Sequence, residues 1–445
     1  MMEFMTGVKK KETKEITELL TGCAEGEVVK INGAVHVIRD MGTVAFVILR
    51  KREGLLQCVY EKETAEFDIK TIKEAATLEV TGVLKQNEKA PNGIEITMQK
   101  VEILSEPEAE MMPLAISKWK LNTSLEAKLN YRSIALRNIR ERAKFRIQEG
   151  LTRAFRDFLY SQEFTEIHTP KIGAKGAEGG ANIFKLEYFH RPAVLAQSPQ
   201  FYKQMMVGVF DRVFETAPVF RAEKHNTKRH LNEYTSLDFE MGYIDGFEDI
   251  MAMETGYLQY AMKLLQKEYA KELKILGVEL PDVSRIPAVR FHDIKEIVSE
   301  KYGHKMRNPF DLEPEEEQLI GKYAKEEWGS DFVFVTHYPS KKRPFYVMDD
   351  PEDSKYTLSF DLLFKGLEIT TGGQRIHDYQ KLIEKIEARG METDGMDQYL
   401  ATFRHGMPPH GGIGIGLERL TMQLIGEDNV RETTLFPRDL SRLEP

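Results

Sequence analysis

The chain changes its hydrophobic rhythm near residue 106. Before that point apolar and polar residues mostly alternate, the signature of half-buried strands. Val28, Val29 and Ile31 lead into Gly33; Val35, Val37, Val44, Phe46 and Ile48 follow; Leu56, Cys58 and Tyr60 come next. Leu78–Val83 and Ile94–Leu104 complete five short strands, with a short helix near Phe67–Ala76 between the third and the fourth. That order fits a small closed Greek-key barrel. Residues 1–22 read as a short helix or arm.

Pro107 and Pro113 mark a polar hinge over residues 106–128, and beyond it the period becomes helical. Ala143, Ile147, Leu151, Ala154, Phe155 and Phe158 predict a long amphipathic helix over Asn138–Ser161. Phe164–Ile172, FTEIHTPKI, predicts a strand ending at Pro170, and Ala196–Met206 a turn that becomes a helix. Phe214–Phe220 and Tyr234–Tyr243 predict a hairpin with an oversized polar tip, Pro218 marking a bulge or an edge. A long helix over 247–275 precedes 281–345, which reads as an insertion whose acidic run Glu313–Glu317 is a solvated face. Phe360–Asp378 gives strands separated by Gly366 and closed by Gly372 and Gly373; His410–Gly416 is a glycine strand running into a helix near Leu417. The pattern as a whole is α/β of the α+β kind.

Composition adds exclusions. The chain has 445 residues, 41% hydrophobic and 30% charged, with a formal net charge of −9. No global basic field advertises nucleic acid, so any RNA contact must be local. Cys23 and Cys58 are too few for a disulfide framework or a thiolate zinc site. No apolar run reaches transmembrane length, and the start is charged at Lys9, Lys10 and Lys11, so a cytoplasmic protein is expected.

Candidate chemistry clusters in the second part. Arg221 and Glu223 stand two apart, so on one strand they share a face, a fork for phosphate beside an acceptor for an amine. The tip that follows is cationic, with Lys224, Lys228, Arg229 and His230. Gln200 and Lys203 lie one helical turn apart. Gly173–Asn182 is glycine-rich without a phosphate-loop signature; it reads as a lid with Glu178 at its tip. Asp361, Glu368 and Arg375 are the reactive groups of the next strands. The glycine strand is a weak dinucleotide signal; Gly412, Gly414 and Gly416 on one face leave room for a flat ring, with Arg419 reaching over it. In the barrel, Phe46, His36, Gln57 and Glu95 are candidate base readers, although Phe46 also suits a core.

Three of these stretches resemble the motifs of class II aminoacyl-tRNA synthetases: the helix ending in FTEIHTPKI, VFRAE followed by KHNTKRHLNE, and GIGIGLERL. Nothing resembles the HIGH or KMSKS signatures of class I. The order of the pieces, the N-terminal barrel and the closing FPRD, Phe436–Asp439, narrow the resemblance to subclass IIb, and within it the chain resembles the archaeal-type aspartyl enzymes over essentially its full length. The resemblance implies an OB-fold anticodon-binding domain at 1–105, a hinge at 106–128, and a catalytic domain at 129–445 built on an antiparallel sheet flanked by helices. It implies an ATP-dependent, AMP-forming ligase that aspartylates tRNA(Asp) and also tRNA(Asn).

The roles it implies are specific. Arg221 and Arg419 are catalytic, Arg221 on the α-carboxylate and α-phosphate and Arg419 near the γ-phosphate. Glu178, Gln200, Lys203, Thr371 and Arg375 join Arg221 around L-aspartate, Lys203 and Arg375 facing its side-chain carboxylate. Glu223, Arg229, His230, Leu231, Glu368, Gly416, Leu417 and Glu418 line ATP, and Glu368 with Thr371 holds Mg²⁺. Strict relatives carry Trp where this chain has His36 and Lys where it has Pro91, which points to relaxed tRNA choice. A homodimer built on the Asn138 helix and the strand to Pro170 is implied, as is a link to an Asp-tRNA(Asn) amidotransferase, with no membrane partner. The alternatives are an asparaginyl enzyme and a non-catalytic paralogue that regulates by binding RNA.

Overall fold

The alternating stretch closes into the five-stranded barrel its pattern predicts. The computed structural model describes residues 7–174, 176, 182–224 and 227–444, and the chain divides into two units, 1–139 and 140–445. In the first, helix α1 (Ile16–Gly22) precedes β1 (Val28–Asp40), β2 (Val44–Lys51), β3 (Gly54–Glu61), β4 (Thr77–Gln86) and β5 (Ile94–Ser105), in spatial order β1-β2-β3-β5-β4. Val47, Leu49, Leu56, Cys58, Leu78 and Ile96 fill the interior. Phe46 lies between buried Ala45 and Val47 and faces the other way, half-exposed, so it is not core. The helix expected near 67–76 is only a 3-10 turn, Ile69–Thr71, capped by the Asp68 carboxylate. Leu114, Ile116, Leu121 and Ala135 form a small satellite core after the barrel, pinned by Asn138, whose amide donates to the carbonyls of Ile116 and Lys118.

The second unit opens with α2 (Ile139–Ser161) and β6 (Thr165–Glu166), then α3 (Gln200–Phe210), β7 (Arg212–Phe220), β8 (Glu233–Gly242) and α4 (Glu248–Glu268). β9 (Ala288–Arg290), α5 (Pro314–Trp328), β10 (Phe332–Thr336), β11 (Ser359–Phe364), β12 (Leu367–Gln374), β13 (His410–Gly416) and α6 (Leu417–Ile425) follow. Eight strands make one sheet in the order β9-β10-β11-β12-β13-β8-β7-β6. Its interior pairs are antiparallel and only the outermost pair at each end is parallel, so the sheet is mixed. The apolar stripe of α2 packs on this sheet and on α4: Phe155 meets Phe214 and Tyr257 edge-on at 5.8 and 5.2 Å. Burying each such ring contributes about 1.5–3 kcal/mol.

Four expectations fail, each for a physical reason. Phe164–Ile172 is not one strand: only Thr165 and Glu166 pair with β7, and Ile172–Gly173 joins a separate three-stranded sheet. The helix over 247–275 breaks at Tyr269, whose ring is buried in the core. The 281–345 segment is not peripheral, because β9 and β10 extend the central sheet. Its acidic run is not a solvated face: Glu316 is buried against Lys295 at 3.1 Å and Glu317 against Arg229. Pro218 does mark an edge. β7 and β8 pair there without a bulge, while β6 reaches only Val213 and Phe214.

Candidate active site

A cavity of about 470 Å³ opens over β8, β11, β12 and β13 of the second unit. One end is built on α3, which begins directly after the turn through Ser198 and Pro199 and so directs Gln200 and Lys203 inward from one face. Both are 2% exposed. Lys203 Nζ donates to Asp238 Oδ1 at 3.0 Å and the Ile413 carbonyl at 2.8 Å, and stands 3.3 Å from Glu240 Oε2. Arg375 Nε donates to Glu240 Oε1 at 2.8 Å and its Nη2 to the Gly412 carbonyl at 2.9 Å. Burial alone would raise the Glu240 carboxyl, but Arg375 and then Lys203 hold it below the usual range. The two cations expected here are thus held in place by two carboxylates, Asp238 and Glu240, that the sequence reading missed. Their signal was present: two acids at i and i+2 in an apolar strand share a face. Gln200 Nε2 is buried in the cavity wall with no hydrogen-bond partner among the described residues, a donor left for a ligand.

A further layer fixes this end. The Tyr399 hydroxyl donates to Gln204 Oε1 at 3.1 Å, and Gln204 Nε2 lies 2.9 Å from His410 Nε2. His410 Nδ1 lies 2.9 Å from the Pro408 carbonyl. Burial pushes the imidazole down to about 4, so it stays neutral, donating from Nδ1 and accepting at Nε2. A Cβ at Gly412 would fall 2.1 Å from the Phe239 carbonyl oxygen and 2.2 Å from Glu240 Oε2, so that position is filled by the neighbouring strand. Of the three glycines singled out on β13, Gly414 and Gly416 line the cavity and leave room for a flat ring.

The other end gathers the hairpin tip. Arg221 and Glu223 lie just beyond β7, not on it, yet both line the cavity because the Arg221 N–H still pairs with the Asn232 carbonyl at 2.9 Å. The Arg221 guanidinium sits 5.8 Å over the Tyr234 ring, and His230 Nε2 is 3.5 Å from Glu223 Oε2. Thr371 Oγ1 donates to Glu368 Oε1 at 3.1 Å. Arg419 donates from Nη1 to the Glu368 carbonyl at 3.0 Å and from Nε to the Arg229 carbonyl at 3.1 Å. Burial works against ionised Glu368, but Arg419, Arg343, Arg221 and Arg229 outweigh it and hold the carboxyl low. Asp361, across β11–β12 from Thr371, is pushed up to about 6 by burial despite its ion pair with Arg343 at 2.8 Å, Glu368 adding to the rise. Glu368 and Thr371 therefore present an ionised carboxylate and a hydroxyl side by side, oxygen donors of the kind a hard divalent cation takes.

Of the residues expected at the nucleotide, Leu417 is in the core and does not line the cavity, whereas Leu231, which packs on Leu367, Met422 and Val430, and Glu418, both of whose oxygens accept from the Thr235 N–H at 3.0 and 3.1 Å, do. Burial pushes Glu418 up to about 7. Glu178 lies outside the described residues. In the first unit, Gln57 donates to Glu95 at 2.9 Å on the barrel's outer face, and Pro91 opens the turn before β5. His36 sits in a bulge of β1 and is only 4% exposed, so it is no open platform for a base.

The family model described as "tRNA synthetases class II (D, K and N)" matches residues 124–440, and that of the "OB-fold nucleic acid binding domain" matches residues 29–104. The chain belongs to the class II aminoacyl-tRNA synthetases, in the branch of the D, K and N enzymes. It is 46% identical over 427 residues to the aspartate–tRNA(Asp/Asn) ligase of Deinococcus radiodurans, covering 95% of this chain and 96% of the relative. It is 40% identical over 440 residues to the aspartate–tRNA(Asp) ligase of Pyrococcus furiosus, covering 97% and 99%. The solved asparaginyl-tRNA synthetase of Pyrococcus horikoshii, complexed with asparaginyl-adenylate, matches with a TM-score of 0.87 at 29% identity, over 95% of this chain and 97% of that one. Among the described residues no helix is long and apolar enough to cross a membrane.

Proposed function

We propose that this chain is an aspartate–tRNA ligase that joins L-aspartate to the 3′ end of tRNA through an aspartyl-adenylate. The observation that carries the reading is the pair of buried cations, Lys203 and Arg375, at one end of a cavity whose other end rings Glu368 with arginines. Aspartate and asparagine are nearly isosteric, so charge must separate them. Lys203 and Arg375, held in place by Asp238 and Glu240, recognise the side-chain carboxylate, and Gln200, with Glu178 expected nearby, orients the rest of the substrate. Arg221 spans the α-carboxylate and the α-phosphate. The α-carboxylate is ionised at neutral pH, so it attacks phosphorus without a general base. Its C–O–P bond forms as the bond to pyrophosphate breaks. Arg419 and Arg229 neutralise the departing phosphates while Glu223 accepts from the adenine amine. Mg²⁺, held by Glu368 and Thr371, would supply further neutralisation of phosphate charge. A ribose hydroxyl of the tRNA terminus then attacks the acyl carbon and AMP leaves. Aspartate-dependent ATP–pyrophosphate exchange tests the reading. Exchange driven by asparagine instead would favour the asparaginyl alternative, and none with either would favour an RNA-binding regulator.

Residues 1–105 would serve as the anticodon-binding domain and 106–128 as the hinge before a catalytic domain at 129–445, in a cytoplasmic enzyme. Relaxed tRNA choice follows from chemistry at the third anticodon base, C in tRNA(Asp) and U in tRNA(Asn), which differ by an amino donor against a carbonyl. The His36 ring is tucked into its bulge and Pro91 has no side-chain donor, so neither penalises U, while Phe46, Gln57 and Glu95 remain to stack and pair. Relatives sharing 41–46% identity carry the Asp/Asn name and those at 39–40% the Asp name, which supports the same side. Charging of purified tRNA(Asp) and tRNA(Asn) is expected to differ by less than about tenfold, or about 1.4 kcal/mol. His36→Trp with Pro91→Lys should move the preference toward tRNA(Asp). A wild-type preference of roughly a thousandfold would defeat the relaxed reading. The Asp-tRNA(Asn) so formed requires an amidotransferase to convert its aspartyl group to asparaginyl.

A two-fold dimer through α2 and the segment to Pro170 is also proposed, since two-fold pairs are the commonest assembly. Tyr160, on α2, leaves a large side chain about half exposed there. Sedimentation at micromolar concentration is expected to give twice the chain mass; monomer alone would refute the assignment.

A further inference from the structure

The segment that resembled an insertion carries a carboxylate to the nucleotide end of the cavity. α5 starts with Pro314 and a reciprocal cap between Glu313 and Glu316. The next residue, Glu317, has a side chain only 6% exposed. Both its oxygens accept from Arg229 Nη2, at 2.7 and 2.9 Å, and Oε2 also accepts from the Glu368 N–H at 3.3 Å. Glu317 thus joins the hairpin tip to the strand that carries Glu368. A Cβ at Gly321 would fall 2.3 Å from the Gly366 nitrogen, so the turn opening β12 rests directly on the middle of α5. Arg229 and Glu368 both line the cavity, and Arg229 Nε is buried with no hydrogen-bond partner among the described residues.

We propose that Glu317 is a positioning residue for the nucleotide. It takes one terminal nitrogen of Arg229 and leaves Nε and Nη1 for the polyphosphate of ATP. A long side chain fixed in advance loses less conformational freedom when the ligand arrives. The same carboxylate ties that guanidinium to the start of β12, so the arginine and Glu368 keep a constant separation. This rests on the ATP-binding reading given above. A packing role alone would predict lost stability with no preference between substrates.

The test is a double-mutant cycle in ATP–pyrophosphate exchange with the full chain. Glu317→Gln keeps the volume and one acceptor oxygen but loses the charge and the second strong bond. KM for ATP is expected to rise about tenfold while KM for aspartate stays within about twofold and Tm moves little. In an Arg229→Ala background the same substitution should change KM for ATP by less than about twofold, because the pair acts as one unit. Equal effects in both backgrounds would overturn the proposal. So would an unchanged KM for ATP, or a parallel rise in both KM values with a fall in Tm. If the wild type shows no exchange, the ligase reading fails by itself; direct titration with ATP, comparing wild type and Glu317→Gln, still decides the positioning role, equal affinities refuting it.

Discussion

Lys203→Leu is expected to lower kcat/KM for aspartate in ATP–pyrophosphate exchange by roughly a hundred- to a thousandfold, about 3–4 kcal/mol. KM for ATP should change far less, because Lys203 lies at the end of the cavity proposed for the amino acid. The structure adds a second consequence. Lys203 is paired with Asp238 and Glu240 in a buried setting, and removing one partner of such a group costs about 3–5 kcal/mol of stability. Tm should therefore fall together with activity. The two effects separate in the double variant Lys203→Leu with Asp238→Asn, which removes one charge of each sign. It should recover much of the lost Tm while aspartate activation stays low. Full aspartate activation in Lys203→Leu would remove the residue from the substrate site and reopen the asparagine reading.

Glu368→Gln should be as severe, slowing exchange by about a thousandfold, or about 4 kcal/mol. The substitution keeps the shape and the contact with Thr371. It removes the negative charge that Arg419, Arg343, Arg221 and Arg229 surround and weakens the site proposed for Mg²⁺. The guanidiniums would then repel one another with less to hold them. The check is a Mg²⁺ titration of the exchange rate. The variant should need a higher concentration for half-maximal rate, and a rate equal to wild type throughout would disprove the role.

Much of the site was legible because its chemistry sits in stretches whose residue types are unusual together. Arg221, Glu223, Glu368, Arg375 and Arg419 stand in polar or glycine-rich surroundings, and the cavity brings them together. Asp238 and Glu240 were not found, because TSLDFEMG reads as an ordinary strand until one asks which face its acids share. Glu317 was hidden by its neighbours. Four acids in five residues suggest solvent, yet Glu316 and Glu317 precede Ile320, Gly321 and Ala324 at helical spacing, on the buried face of α5. The barrel was readable because period two is decisive when one face is buried. The division of FTEIHTPKI between two sheets was not, since it depends on which neighbours the chain meets after folding.

The central sheet ends on strands of three and two residues, β9 and β6, each joined in parallel to its neighbour. Long flat edges recruit strands from other copies and seed aggregation. Here one edge is short and carries Arg290, and past β6 the free side of β7 holds Pro218, which has no N–H to offer. Growth of the sheet from copy to copy is disfavoured at both margins. The central sheet is thus guarded against edge-to-edge association by the same strands that close its catalytic platform.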